Sequence, residues 1–408
     1  MQKLKSFLSI IGFLIVFHHG FAQSSAIMYN DAVDLMHKSK YTEAIEIYNK
    51  IIIKSPFYYE AFADRGHCYF ALGKNAEALK DYILSISKNK DYYLVYYYRG
   101  IYYLSLKDYK ASLSDFNKCI TIKPNFAAVY EKRAMMYEES NEYEKSIADY
   151  SKSVEFDKSN AALYYGRGKV YAELKKYTEA NNDFTKSITL KNDFAEAFHE
   201  RAKLNWEKGN PTLAISDLTK LIALNYNLKE ILIERGNAFY QIKKYTEALA
   251  DYSQLTNVLK FSSTEVYEKK AFSNAALGNF ELAIKDYSKL TILDRDNEEV
   301  WVHRGELYVK MNKAPQAMAD FRRALIINPK NTEALKGRAK IYMYQKRYDL
   351  ALDDLNESIK IKKDGEAFYM RGAIKSIQND KKGSCADLKM SASLGYEEAI
   401  AKVDEQCP

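Results

Sequence analysis

The residues of this chain that could do chemistry recur at a fixed distance. An arginine or lysine stands sixteen residues before an aspartate ten times: Arg65 and Asp81, Arg99 and Asp115, Arg133 and Asp149, Arg167 and Asp183, then Arg201, Arg235, Lys270, Arg304, Arg338 and Arg371 before Asp217, Asp251, Asp286, Asp320, Asp354 and Asp387. Two chemistries are open to such a series: a charged ladder for a ligand, or an ion pair between helices. The structural pair is the expectation, because both positions neighbour a stripe of packing residues. Catalysis asks for other patterns. Beyond position 22 the histidines are His37, His67, His199 and His303, and none belongs to a His-Glu-x-x-His or Cys-His set that would hold zinc. No Gly-x-Ser-x-Gly elbow and no phosphate-cradling Gly loop occurs. Paired carboxylates such as Asp353-Asp354 sit in a repetitive, solvated helical context. The chain therefore reads as a non-enzyme, with no catalytic residue, metal or cofactor expected.

The elements that carry these residues follow from composition and period. A length of 408 residues, 47% hydrophobic and 28% charged, excludes wholesale disorder and exceeds what one hydrophobic core usually organises. Six Pro and 16 Gly leave little for the turns of an all-β protein, so an all-α fold is expected. A bias of 35 Tyr to 2 Trp suggests one structural slot filled repeatedly by the same aromatic type.

A cation followed by Gly or Ala, from Arg65-Gly66 to Arg371-Gly372, returns every 34 residues, except for an interval of 35 before Ala271 and one of 33 before Gly372. The extra and missing residues are expected near Ser262 and Asp364, between helices, where length changes are tolerated. Extending the register back to Ala32 gives eleven units, beginning at 25, 59, 93, 127, 161, 195, 229, 264, 298, 332 and 365 and filling 25–398, with a C-terminal cap at 399–408. The fourth position of a unit is apolar throughout, as at Met28, Phe62, Tyr96 and Phe368. Together with the eighth and eleventh, as in Tyr96, Gly100 and Tyr103, it marks one face of a helix. The twentieth, twenty-fourth and twenty-seventh, as in Ala44, Tyr48 and Ile51, mark an apolar stripe on a second helix. One pair cannot bury its own faces, so consecutive pairs are expected to stack into a solenoid.

With an aromatic fourth position, Gly or Ala at eight, Tyr at eleven, Ala at twenty and an aromatic at twenty-four, the unit resembles the tetratricopeptide repeat. It departs from the family pattern in having Pro near position 32 only as Pro56, Pro124 and Pro329, and in Asn205, Asn274 and Lys375 at position eleven, where looser packing is expected. The resemblance implies an all-α solenoid, a right-handed superhelix of helix-turn-helix repeats that holds a peptide or protein in its concave groove, without catalysis. It assigns the groove lining to positions two, five, nine, twelve and thirteen. The first three units place Tyr29, Val33, Met36, His67, Phe70, Tyr97, Ile101 and Leu104 there, an apolar wall for an apolar or aromatic segment of a partner. Later units interleave Glu131, Glu138, Lys169, Lys203, Glu306, Lys336 and Lys340. Two other readings stand beside the groove: the stripe fills space between helices, or it buries itself in a homo-oligomer of self-associating structural subunits. The carboxylate-clamping pattern known in some of these repeats does not match, since Asn237 follows Ile233 and Lys336 is followed by Lys340.

The start of the chain has basic Met1 to Lys5, an apolar run from Phe7 to Phe17, and small Gly20 and Ala22. This is a secretory signal layout over 1–22, with cleavage expected after Ala22 and a secreted or periplasmic product. The run is shorter than the ~20 residues that span a bilayer, so no transmembrane segment is expected in the mature chain. Losing Lys3 and Lys5 lowers the formal charge from +7 by two. The lysines come as scattered pairs, Lys175-Lys176, Lys243-Lys244 and Lys381-Lys382, each expected between helices, and no nucleic-acid partner is read from them. In an oxidising compartment Cys385 and Cys407 are expected to form a disulfide that pins the cap, with Cys68 and Cys119 as small buried residues.

Overall fold

The computed structural model describes residues 25–407, and the leader read at 1–22 lies outside them. Every regular element among the described residues is helical. They fall into two compact units, one through Leu204 and one from Asn205. The first holds five helical hairpins: α1 (25–37) with α2 (Tyr41–Lys54), α3 (Tyr59–Ala71) with α4 (Asn75–Lys88), α5 (Tyr93–Ser105) with α6 (Tyr109–Ile122), α7 (Ala127–Glu139) with α8 (Tyr143–Phe156), and α9 (Ala161–Glu173) with α10 (Tyr177–Leu190). The division falls inside α11 (Ala195–Glu207). The second unit continues with α12 (Pro211–Ala223), then pairs α13 (Leu228–Gln241) with α14 (Tyr245–Ser253), α15 (Thr264–Ala276) with α16 (Phe280–Leu293), α17 (Glu298–Lys310) with α18 (Ala314–Ile327), α19 (Thr332–Tyr344) with α20 (Tyr348–Ile361), and α21 (Gly365–Ile377) with α22 (Lys381–Ser393). α23 (Glu397–Gln406) follows and packs on α22.

The same local devices build each hairpin. Its tight turn holds one residue in the left-handed region, with φ of 73° at Gly73, 59° at Lys107, 57° at Lys175 and 60° at Lys243. Fourth-position aromatics tie the preceding connection to the hairpin: Tyr130 Oη donates to the Pro124 carbonyl at 2.9 Å, and Trp301 Nε1 to the Arg295 carbonyl at 3.3 Å. The eighth position sets how closely the two helices approach. A Cβ on Gly100 would lie 2.5 Å from the Phe116 ring, so α6 rests its aromatic directly on the backbone of α5. The largest fully buried side chains are position-twenty-four aromatics, among them Tyr48, Tyr82, Phe116, Phe184, Tyr252 and Phe321.

Three placements differ from the sequence reading. The stripe of the second helix is not uniformly apolar: Ser112 and Ser146 at position twenty donate to the Gly100 and Ala134 carbonyls at 2.9 Å, and Ser85 at position twenty-seven donates to the Tyr59 carbonyl at 2.8 Å. A serine is small enough for the close approach, and the facing helix satisfies its hydroxyl. The extra residue of the seventh unit is not confined to the connection near Ser262, because α14 already gives way to a π turn over Gln254–Val258, the way a helix absorbs one additional residue. Lys381 and Lys382 open α22 rather than lying between helices, since the Asp380 side chain accepts from Gly383 N and caps the helix ahead of them.

Candidate functional site

The cation and aspartate series forms a ladder inside the hairpins. Arg65, Arg99, Arg133, Arg167, Arg235, Arg304, Arg338 and Arg371 each grip the aspartate sixteen residues on with Nε and Nη2, one to each carboxylate oxygen, at 2.6–2.9 Å. The aspartates are buried. Seven of these guanidinium groups also lie beside at least one ring of their own helix, as Arg304 does 5.0 Å from Trp301 and 5.9 Å from Tyr308. The third nitrogen has a role that sequence reasoning missed. Nη1 reaches the twenty-fifth position of the preceding hairpin: Asn49 from Arg65 at 2.6 Å, and Ser151, Thr219 and Ser288 from Arg167, Arg235 and Arg304 at 3.0 Å. One side chain thereby joins two hairpins, and the recurrence of short polar residues at that position was the available signal.

Two departures at position eleven act on this ladder. In α15 the cation is Lys270, which reaches Asp286 at 3.3 Å and Thr256 at 3.1 Å, and Asn274 donates to Asp286 at 2.9 Å. A cleft of about 680 Å³ opens beside them. In α21, Lys375 reaches Asp387 at 2.8 Å alongside Arg371. Burial pushes the Asp387 carboxyl up, but the two cations hold it below the usual carboxylate range, whereas at Asp81 burial outweighs Arg65 and the carboxyl is raised.

The eight residues read for the groove are all half-buried. Tyr29 and Met36 pack on the core shared by α1, α2 and α3, while Phe70, Tyr97, Ile101 and Leu104 pack on the core running from α3 to α7. Val33 lies one turn from Tyr29 on α1. His67 stacks flat on Tyr98 with ring centroids 4.4 Å apart, and Tyr97 meets Phe126 edge-on at 5.0 Å. Burial lowers the pKa of His67, which keeps the imidazole neutral at pH 7.

Sequence reasoning missed Asp64. It occupies the sixth position of its unit, one turn from positions two and nine and so on the same helix face. Only 2% exposed, it accepts a 2.5 Å hydrogen bond from the Tyr29 hydroxyl at Oδ2, while Oδ1 accepts none. Burial pushes its carboxyl up to about 6, against the pull of the Tyr29 and Tyr98 hydroxyls.

On the corresponding faces further along, charged residues engage other charges. Lys169 reaches Glu138 on the preceding hairpin at 3.0 Å, Lys203 reaches Glu200 at 3.1 Å, and buried Lys336 contacts Glu333 and Glu366 at 3.0 Å and Asp364 at 3.3 Å. Lys340 joins Glu366 at 2.5 Å, Glu306 lies 3.7 Å from His303, and Glu131 lies 3.8 Å from Lys132. Cys385 and Cys407 are disulfide-bonded, joining α22 to the end of α23. Cys68 and Cys119 are buried free thiols, each pushed up to about 12 by burial.

Family models described as tetratricopeptide repeats match residues 29–93, 94–126, 161–194, 199–257 and 302–367, and one described as a TPR repeat matches 135–175. The chain is a tetratricopeptide-repeat protein. Among solved structures, yeast Tom70 is similar at 14% identity, covering 94% of this chain and 96% of its own, with a TM-score of 0.38. The C-terminal part of a TPR repeat-containing protein from Cytophaga hutchinsonii is similar at 20% identity, covering 67% of this chain and 97% of its own, with a TM-score of 0.43. A tetratricopeptide repeat protein from Parabacteroides merdae is similar at 17% identity, covering 69% and 99%, with a TM-score of 0.35. No curated protein matches the sequence. Tetratricopeptide-repeat proteins are typically non-catalytic scaffolds, and the fold supports a role in protein interaction. Among the described residues, no helix of this one is long and apolar enough to cross a membrane.

Proposed function

We propose that this tetratricopeptide-repeat protein is a non-catalytic scaffold of the bacterial cell envelope, secreted or periplasmic, that holds a protein or peptide partner against the first helices of its first three hairpins. One observation carries the reading: Tyr29, Val33, Met36, His67, Phe70, Tyr97, Ile101 and Leu104 form a half-buried aromatic and apolar face, while charges at the matching positions of later hairpins pair with one another. Partly exposed aromatics offer contact area at small entropic cost, and neighbouring backbone already holds them in place. The sequence layout of residues 1–22 and the Cys385–Cys407 disulfide support an oxidising location.

A peptide array probed with wild type and with Tyr97→Lys tests the face. Wild type retains a set of peptides that the variant loses while keeping the same helical circular dichroism; equal retention would refute the face. Analytical ultracentrifugation separates this from self-association, since a dimer broken by Tyr97→Lys would assign the same face to a second copy. Sequencing the N-terminus of the protein recovered from its host tests the leader, with a start at Gln23 expected.

A further inference from the structure

Among the described residues, the buried side-chain polar atoms that lack a hydrogen bond are Tyr48 Oη, Asp64 Oδ1, Tyr82 Oη and Ser358 Oγ. The first three belong to one neighbourhood. The Tyr48 and Tyr82 hydroxyls both feel the charge of Asp64, and Tyr29, whose hydroxyl holds Oδ2, packs 6.0 Å from the Tyr48 ring. Buried polar groups are almost always satisfied. The two tyrosine hydroxyls can donate as well as accept, but a carboxylate oxygen only accepts, so Asp64 Oδ1, unmatched although the Tyr98 hydroxyl lies near the carboxylate, points to a donor that arrives from outside.

The surroundings define that donor. Tyr29 on α1, Tyr92 in the connection ahead of α5 and Tyr98 on α5 stand around Asp64, and Tyr98 carries His67 flat against it. The other titratable groups whose charge reaches Asp64 are Glu60 on its own helix and His37 on α1. At positions two, five, six, nine, twelve and thirteen of the first three units there is no lysine or arginine, and the acids are Glu60 and Asp64. The chain thus supplies a carboxylate and aromatic rings at this spot but no lysine or arginine. An ionised carboxylate walled by aromatic rings favours an ammonium or guanidinium group, through charge and through the ring faces together. The carboxyl, though raised to about 6, is ionised at pH 7.

We propose that Asp64 is the anchor for a cationic side chain, lysine or arginine, of the partner segment that lies on this face. The inference rests on the peptide-binding reading above and gives its partner a chemistry: apolar or aromatic residues flanking one cation. The cation enters between Tyr29 and Tyr98 and takes Oδ1, and the Tyr29 ring moves by a rotamer change of the kind common at interfaces.

The test uses random twelve-residue peptides displayed on phage, selected against the immobilised intact chain and against Asp64→Asn, with a synthetic copy of the strongest binder measured by fluorescence anisotropy. Binders of the wild type are expected to be enriched in lysine or arginine. Replacing that residue by norleucine is expected to weaken binding roughly ten- to hundredfold, and Asp64→Asn to weaken the parent peptide equally while leaving the norleucine peptide unchanged. Binders without a cation, or a cation whose loss is indifferent to Asp64→Asn, overturn the anchor and leave the groove standing. A selection that yields no binder overturns the groove and the anchor with it. Should Asp64→Asn lose its helical spectrum, the norleucine exchange on wild type together with binding at pH 5 and pH 8 decides: the lysine peptide loses affinity at pH 5 and the norleucine peptide does not, and any other pattern overturns the anchor.

Discussion

The Tyr29 hydroxyl and the Asp64 carboxylate meet across two hairpins at 2.5 Å, and the second carboxylate oxygen is sealed from solvent with no donor of its own. Such a group works against folding when it is charged. Its folded pKa of about 6 lies above the ordinary 3.8, so between about pH 4 and 6 the folded chain keeps a proton that the unfolded chain releases. The contribution of Asp64 is therefore most favourable below about pH 4, declines as pH rises through that window by on the order of 3 kcal/mol, and is flat above it. Asp64→Asn keeps the shape and the acceptor for Tyr29 without the charge. Urea midpoints of variant and wild type are expected to converge at pH 4 and to separate at pH 8, with the variant more stable; parallel profiles would refute the buried charge.

Arg167 and Lys169 lie two residues apart on α9, yet their removal has different consequences. Arg167 forks onto buried Asp183 at 2.8 Å and reaches back to Ser151 at 3.0 Å. Arg167→Met strands a buried carboxylate and cuts the tie to the preceding hairpin, with an expected cost of about 3 to 5 kcal/mol. Lys169 is 42% exposed and contacts Glu138 from solvent, so Lys169→Met is expected to cost less than about 1 kcal/mol. Denaturant melts of the two variants check the contrast, and equal midpoints would remove it.

Periodicity exposes whatever repeats and hides whatever occurs once. Arg65, Arg99 and their counterparts were legible as partners of Asp81 and Asp115 because the spacing returns in ten units. The second bond, from Nη1 to Asn49 or Ser151, escaped because position twenty-five is Asn, Ser or Thr in most units but Ile83, Arg322 and Lys389 in others, a mixture ordinarily read as solvated surface. The half-buried set from Tyr29 to Leu104 could be named by applying to the register the lining positions that the family resemblance implies, but how far each ring is covered depends on neighbours in adjacent hairpins, such as Phe126 against Tyr97. Asp64 was invisible for the opposite reason. A single aspartate at a position held by Asn30 in one neighbouring unit and Tyr98 in the other carries no pattern, and its meaning comes from tyrosines brought to it by the hairpins on either side. The π turn at Gln254–Val258 likewise left only a one-residue change of interval in the sequence.

The turn between α9 and α10 places Lys175 at φ 57°, a conformation an L side chain adopts at a cost of roughly 1 to 2 kcal/mol, whereas the equivalent turn between α3 and α4 uses Gly73. Lys175→Gly removes that cost and returns part of it through the freer unfolded chain. A net gain of about 0.5 to 1 kcal/mol is expected, read as a higher urea midpoint with an unchanged slope. The control is Lys186→Gly inside α10, which is expected to lose about 1 kcal/mol; a loss at both sites would show that the turn is not strained.

The Cys385–Cys407 disulfide closes a segment of sequence separation 22 that contains the connection from α22 to α23, and Tyr396 in that connection rests on Tyr369 of α21 with ring centroids 5.2 Å apart. In a stack of hairpins each element is stabilised mainly by its neighbours, so loosening one helix need not reach distant ones. Cys407→Ser is therefore expected to act locally. Native-state hydrogen exchange should show the amides of α23 opening about 2 to 4 kcal/mol more easily than in wild type, while those of α16 and α17 keep their protection. Because α23 covers α22, the buried face that includes Leu388 should show a smaller acceleration, graded along the stack. Uniform acceleration throughout the second unit would mean that the cross-link acts on global rather than local unfolding, and no acceleration anywhere would mean that packing of α23 on α22 alone holds the helix.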